Sequence, residues 1–174
     1  GTTGVTTTPA RLASEEFMNS KLRATTGLSV RSTQGGAPLI LYDQLGQGRS
    51  QVSFDPDAAA YWIESSSNTL WLSASVAEPA YAAVGLVGGS TADDGNLETE
   101  VTLDQLGETT LEVRVTAGDL TTRTYTIVAT LLAKQCSPEC TTAVAEDRAT
   151  CDGITGECTC KAGWKGANCD ADCP

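Results

Sequence analysis

An all-β fold, an antiparallel β-sandwich followed by a small disulfide-rich module, is what this sequence predicts. Two observations carry that prediction. The first is a set of short runs in which apolar residues alternate with polar ones, separated by Gly-, Asp- and Ser-containing turns every 8–12 residues or so, the signature of half-buried strands packed as two sheets. The second is the distribution of cysteine: all seven lie at or after position 136, so the chain divides near residues 132–135. The resulting division is residues 1–25 as a Thr-rich linker with a short helical lead-in, 26–133 as the sandwich, and 134–174 as the Cys-rich module.

Taken in order, the opening "GTTGVTTTPA" is dense in Thr and contains Pro, a composition that stays extended and accepts O-linked sugar, here at Thr2, Thr3, Thr6, Thr7 and Thr8. It is equally the composition of a plain flexible linker. "PARLASEEFMNSKLR" reads as a short helix or helical turn, with Ser14 as cap and Leu12, Phe17, Met18 and Leu22 sharing a face. "LILYDQLGQGRSQ" is either an elongated first hairpin or an insertion. Its "GQGRS" lacks the Lys and the strand-to-helix setting of a phosphate-cradling loop and is read as a hairpin turn. The strand runs follow: "YWIES", "LWLSASVA", "EVTLDQL", "LEVRVTA" with Leu111, Val113 and Val115 on one face, and "TYTIVATL" with Tyr125, Ile127, Ala129 and Leu131. The turns "GGS", "DDGN" and "AGDLTT" punctuate them.

Composition narrows function. The 22 Asp+Glu against 11 Lys+Arg leave a net charge of -11, which opposes binding to nucleic acid and anionic membranes. The absence of His removes the commonest general base, the usual partner of a Ser or Cys nucleophile and a common metal ligand. No acid cluster sits in apolar surroundings that would raise a pKa for glycoside hydrolysis. No enzyme activity, no cofactor and no membrane insertion are expected. No N-x-(S/T) sequon occurs.

The stretch from Phe54 to Ile127 carries a pattern: Phe54 and Pro56, then Tyr61 and Ile63, then Ala82, Val84, Leu86 and Gly88. Gly107, Val113, Val115, Thr116 and Ala117 follow, and finally Tyr125 and Ile127. Over roughly residues 50–131 this resembles the cadherin-like β-sandwich family, whose members are mostly repeated extracellular modules acting as spacers or adhesive units. Read simply as side chains, Phe54, Tyr61, Trp62, Trp71 and Tyr125 are sandwich core and its edges, with phenol hydroxyls tied to nearby backbone. If Tyr61 and Ile63 point inward, Trp62 points outward, and the same alternation turns Trp71 away from Leu70 and Leu72. Trp62 and Trp71 are therefore the expected contact surface.

The cysteine spacing is Cys136-x3-Cys140-x10-Cys151-x6-Cys158-x-Cys160-x8-Cys169, with "CDGITGECTCKAGWKGANC" at its centre. Fifteen pairings of six cysteines are open on spacing alone. The pattern is similar to the epidermal-growth-factor-like (EGF-like) module of the laminin and multiple-EGF type, and the resemblance implies Cys136–Cys151, Cys140–Cys158 and Cys160–Cys169. About 40 residues bury too little apolar surface to fold alone, so such bridges fit the physics and imply an oxidising compartment. Zinc fits poorly without His and with these spacings. The acidic cluster that precedes the first cysteine in calcium-binding relatives is replaced by "LLAKQC", and the interdomain acidic motifs of calcium-dependent cadherins have no counterpart. "DPD", "DDGN" and "CDADC" are acidic turns whose calcium binding the sequence leaves open.

Cys173 is the seventh cysteine, so at least one thiol has no partner within the 174 residues. "CDADCP" resembles the start of a further Cys-rich unit in multiple-EGF proteins, so the expectation is a chain that is part of a longer array; an interchain bridge and a free thiol are the alternatives. The functional expectation is a non-catalytic extracellular structural or adhesive protein whose partners are other copies or neighbouring domains, with O-linked or associated glycan. The pairing of modules with an Ala-, Thr- and Gly-rich composition resembles large surface proteins of unicellular algae, including mastigoneme subunits of the flagellar surface. The alternative is a secreted carbohydrate- or receptor-binding module with the sandwich as reader and the Cys-rich unit as stalk.

Overall fold

The computed structural model describes residues 19–172. Within them, ten strands build the sandwich: β1 (Leu28–Arg31), β2 (Leu41–Tyr42), β3 (Gln51–Val52), β4 (Ala60–Ser65), β5 (Thr69–Ser75), β6 (Ala82–Leu86), β7 (Thr91–Ala92), β8 (Asn96–Thr102), β9 (Gly107–Ala117) and β10 (Thr122–Leu131). They form a three-stranded sheet, β1-β5-β8, and a seven-stranded sheet, β3-β2-β4-β10-β9-β6-β7. Side chains on successive strand residues point to opposite faces, so alternation in sequence becomes alternation in burial. In β5, Leu70, Leu72 and Ala74 are buried while Thr69, Trp71, Ser73 and Ser75 are half-buried on the other side. In β10, Tyr125, Ile127, Ala129 and Leu131 are buried in the same way. The inward rows of the two sheets meet in one core that includes Val30, Leu72, Leu97, Ile63, Val113 and Ile127. Each such side chain contributes roughly 1.5–3 kcal/mol by leaving water.

Every sandwich pairing is antiparallel except one: β10 runs parallel to β4, with Ile127 beside Tyr61. β2 and β3 form a hairpin around residues 43–50, which resolves the "LILYDQLGQGRSQ" segment as a hairpin. β1 had no separate signal among the strand runs, being only four residues of "LSVR". The lead-in is not helical where it is described. Leu22 forms an antiparallel bridge with Val76 and is fully buried, so it belongs to the sandwich core rather than to a helical face. Its amide donates to the Tyr125 hydroxyl, a tertiary bond that a helical turn at this point would forgo. Ser14, Leu12, Phe17 and Met18 lie outside the described residues.

Gly95 shows why one turn needs glycine. Its φ of 75° favours a residue without Cβ, and a Cβ there would lie 2.5 Å from Val76 Cγ2 and 2.9 Å from Pro79 Cα.

Beyond β10 the chain continues into α1 (Pro138–Ala145), β11 (Ala149–Cys151), β12 (Cys158–Cys160), β13 (Trp164–Lys165) and β14 (Ala171–Asp172). β11 pairs with β12 and β13 with β14. The helix was not anticipated, although its signal was present. Ser137 caps it by accepting from the Cys140 amide at 3.1 Å, and Pro138 opens its first turn. Eight residues with only Cys140 and Ala143 buried are too short to register as an apolar periodicity.

Candidate functional site

The motif residues Phe54, Tyr61 and Tyr125 come together as a structural cluster. The Phe54 ring lies 5.5 Å from Tyr61 and 5.8 Å from Tyr125. The Tyr61 hydroxyl donates to the Asp55 carbonyl at 2.6 Å and accepts from the Asp55 amide at 2.8 Å. The Tyr125 hydroxyl donates to the Pro56 carbonyl at 2.9 Å. Two buried phenols thus pin the Phe54–Pro56 loop over the end of the core, and burial raises the pKa of both. Asp57, at the end of that loop, pairs with Lys21 at 2.6 Å, which holds its carboxyl below the usual range. These perturbed groups are tied up in holding the loop.

Trp62 and Trp71 do point outward, and both are half-buried. They do not share a surface. Trp62 is on β4 of the seven-stranded sheet and Trp71 on β5 of the three-stranded sheet, so their outward faces are the two opposite sides of the sandwich. Period-two alternation assigns inside and outside but carries no information about which sheet a strand joins, and residues 66–68 cross from one sheet to the other. Trp62 stands between Tyr42 and Val128, and Tyr42 faces Gln51. Arg49 lies over the Tyr42 ring, 4.3 Å from its centre, and pairs with Glu64. Trp71 stands between Arg31 and Glu100.

The C-terminal module holds three disulfides, Cys136–Cys151, Cys140–Cys158 and Cys160–Cys169, the pairs that the EGF-like resemblance implies. Its buried cluster is small: Ala143, Ala149 and Cys169, with Cys158, Cys160 and Trp164 against them. Arg148 covers the Trp164 ring at 4.8 Å and donates to the Cys169 carbonyl at 2.6 Å. Cys173 and Thr2, Thr3, Thr6, Thr7 and Thr8 lie outside the described residues.

Sequence reasoning missed the joint between the two parts. After Leu131, the Leu132 amide donates to the Ser65 carbonyl at 2.8 Å and the Lys134 amide to the Gly153 carbonyl at 2.7 Å; Cys136 is already bridged to Cys151. The turn between β11 and β12 is folded by Asp152, whose Oδ1 accepts from the amides of Ile154 at 2.7 Å and Thr155 at 3.3 Å. Those bonds lower the Asp152 pKa. The turn presents Ile154 to the sandwich, where it packs against the main core. Leu106 packs on Gly153 so closely that a Cβ there would lie 2.8 Å from Leu106 Cδ1. The available signal was an apolar Ile at the tip of an otherwise polar turn, "CDGITGEC", which a free-standing module has no use for.

Among the described residues no group of three or more His, Cys, Asp or Glu is placed to hold a metal ion, and no helix is long and apolar enough to cross a membrane. No curated protein and no solved structure matches the chain. The family model for the Cadherin-like beta sandwich domain matches residues 20–131, more than half of the chain and the span from the Leu22 bridge to the end of β10. Such modules are generally non-enzymatic, and the C-terminal disulfide-rich part is consistent with an EGF-like unit. With the sandwich topology and this match in agreement, the chain belongs to the cadherin-like β-sandwich family.

Proposed function

We propose that this protein is a non-catalytic extracellular structural or adhesive unit, a segment of a multidomain array that forms a filament or cell-surface coat. The observation that carries the reading is the joint. A linker of four residues, 132–135, hydrogen-bonded at both ends and clamped by Ile154 and Leu106, leaves little freedom for the module to swing against the sandwich. Stiff coupling of successive domains is what a spacer needs and what a freely tethered reader does not. The three disulfides of the module suit an oxidising exterior. Neighbouring copies or domains are the partners, meeting on the face that carries Trp62 and Tyr42, with O-linked glycan on Thr2, Thr3, Thr6, Thr7 and Thr8. The finest form of the reading is a mastigoneme subunit of the flagellar surface, which rests on composition and module pairing.

The test is intact mass of the natural protein, reduced and unreduced, before and after removal of O-glycans, with immunogold labelling of the source cells. The array reading requires a reduced, deglycosylated polypeptide far heavier than 18.0 kDa and label along filaments or coat. A monodisperse secreted species near 18.0 kDa would refute it.

A further inference from the structure

The outer face of the three-stranded sheet, opposite the Trp62 face, carries a groove of about 540 Å³. Arg31, Ser73, Ser75, Asn96 and Glu98 line it, and the loop at 35–38 walls one side. β5 supplies the floor. Ser73 faces Ser29 on one side and Glu98 on the other, and Ser75 faces Asn96. Just outside the groove, one step along the same face, Trp71 stands between Arg31 and Glu100 and flanks it. The Arg31 guanidinium donates to Ser73 Oγ at 3.1 Å, and Asn96 donates its amide to the Asp94 carbonyl at 3.2 Å, leaving its side-chain oxygen available.

The chemistry of the groove selects among ligand classes. One guanidinium, Arg31, against one carboxylate, Glu98, gives no excess of positive charge, which disfavours phosphate, sulfated glycans and nucleic acid. A floor of serines offers no apolar seat for lipid or an amphipathic helix. Donors and acceptors alternate at the spacing of strand neighbours beside an indole, all on strands rather than on mobile loops. A neutral pyranose meets each of these demands: its hydroxyls both donate and accept, and its C–H face stacks on an aromatic ring. The volume is within the roughly 300–1,000 Å³ of small-ligand sites. We infer that this groove binds a neutral saccharide, with Arg31, Asn96 and Glu98 reading hydroxyls and Trp71 carrying the ring. The inference stands apart from the spacer reading, which survives if it fails.

The experiment is a titration of the disulfide-intact chain with short neutral oligosaccharides of glucose, xylose, mannose, galactose and arabinose, followed by amide NMR shifts. A heparin oligosaccharide serves as the polyanionic comparison. The expected result is saturable shifts from at least one neutral sugar, concentrated on β5, β8 and the 32–38 loop. The Kd should rise about tenfold or more in Glu98→Gln, as loss of a charged hydrogen bond implies, and also in Trp71→Ala, which removes the stacking ring. Trp62→Ala should leave it unchanged. Glu98 is exposed, so Glu98→Gln remains informative if Trp71→Ala fails to fold. The inference is overturned by absence of saturable shifts at millimolar sugar. It is overturned equally by shifts confined to the Trp62 face, by binding indifferent to Glu98→Gln, or by binding of heparin alone.

Discussion

The sandwich and the C-terminal module solve the same stability problem in opposite ways. The sandwich has enough residues to bury complete rows of Leu, Val, Ile and Tyr between its sheets, and it contains no cysteine. The module, about 40 residues, buries little beyond two alanines and the sulfur atoms themselves, and relies on three bridges. A disulfide acts largely on the unfolded chain, whereas a core acts on the folded one. Reagents that attack one mode of stabilisation should therefore spare the other.

The largest expected effect follows directly. Full reduction removes bridges worth about 2–4 kcal/mol each, more than a domain this small can lose, so the module should unfold while the sandwich keeps its cooperative thermal transition. Amide NMR in strong reductant would show collapsed dispersion for residues after 136 and native shifts for β4, β9 and β10. Simultaneous loss of both would mean that the sandwich depends on the module, and the contrast drawn above would be wrong.

Next in size are substitutions within the two cores. Ile127→Ala, at a fully buried position between β4 and β9, should cost about 2–5 kcal/mol in denaturant unfolding. Trp164→Ala removes more atoms, yet Trp164 is only half-buried, covered by the Arg148 guanidinium and packed on a cluster of only Ala143, Ala149 and Cys169, so the cost should be about 0.5–2 kcal/mol with the bridges intact. An equal or reversed order would show that the module has a core after all. Tyr125→Phe is intermediate: it leaves the Leu22 amide and the Pro56 carbonyl without their partner, at about 1–3 kcal/mol.

The same contrast explains what was legible in the sequence. Alternating runs such as "LEVRVTA" and "TYTIVATL" announce their strands because one face is core and the other solvent, and β9 and β10 follow them closely. Sheet membership is a different matter. Nothing local to "YWIES" and "LWLSASVA" says that the chain changes sheet between them, so alternation alone puts Trp62 and Trp71 on one expected surface. β1 was too short to show a period, and Leu22 has a helix-compatible spacing that a tertiary bond to Tyr125 overrides. In the module the cysteine spacing pointed to a known arrangement, while α1 lay hidden in a Ser-Pro cap signal. The groove beside Trp71 was least legible of all, since Arg31, Ser73 and Glu98 are brought together from three strands by pairing register alone.

The joint is where the two modes of stabilisation touch, and acid should loosen it with the smallest effect of the set. Asp152 folds the turn that presents Ile154, and the amides it accepts from hold its folded pKa below 3.8. A depressed carboxyl pKa stabilises the folded turn fully above the unfolded value of 3.8, and that contribution is lost as pH falls below it through the folded value. Hydrogen exchange at the Lys134 amide, which is bonded to the Gly153 carbonyl, reports the joint directly. Its protection should hold between pH 7 and 5 and decline below about 4, after allowance for intrinsic exchange. Asp152→Asn keeps an acceptor oxygen that can make the same Asx turn and has nothing to titrate, so its protection should be flat across that range. Ile154→Ser should instead lower Lys134 protection at every pH while leaving β9 and β10 amides unchanged. If Asp152→Asn still loosens in acid, another carboxylate governs the turn. If Ile154→Ser leaves the amide protected, the Lys134–Gly153 bond and the Cys136–Cys151 bridge hold the two parts together without the apolar clamp.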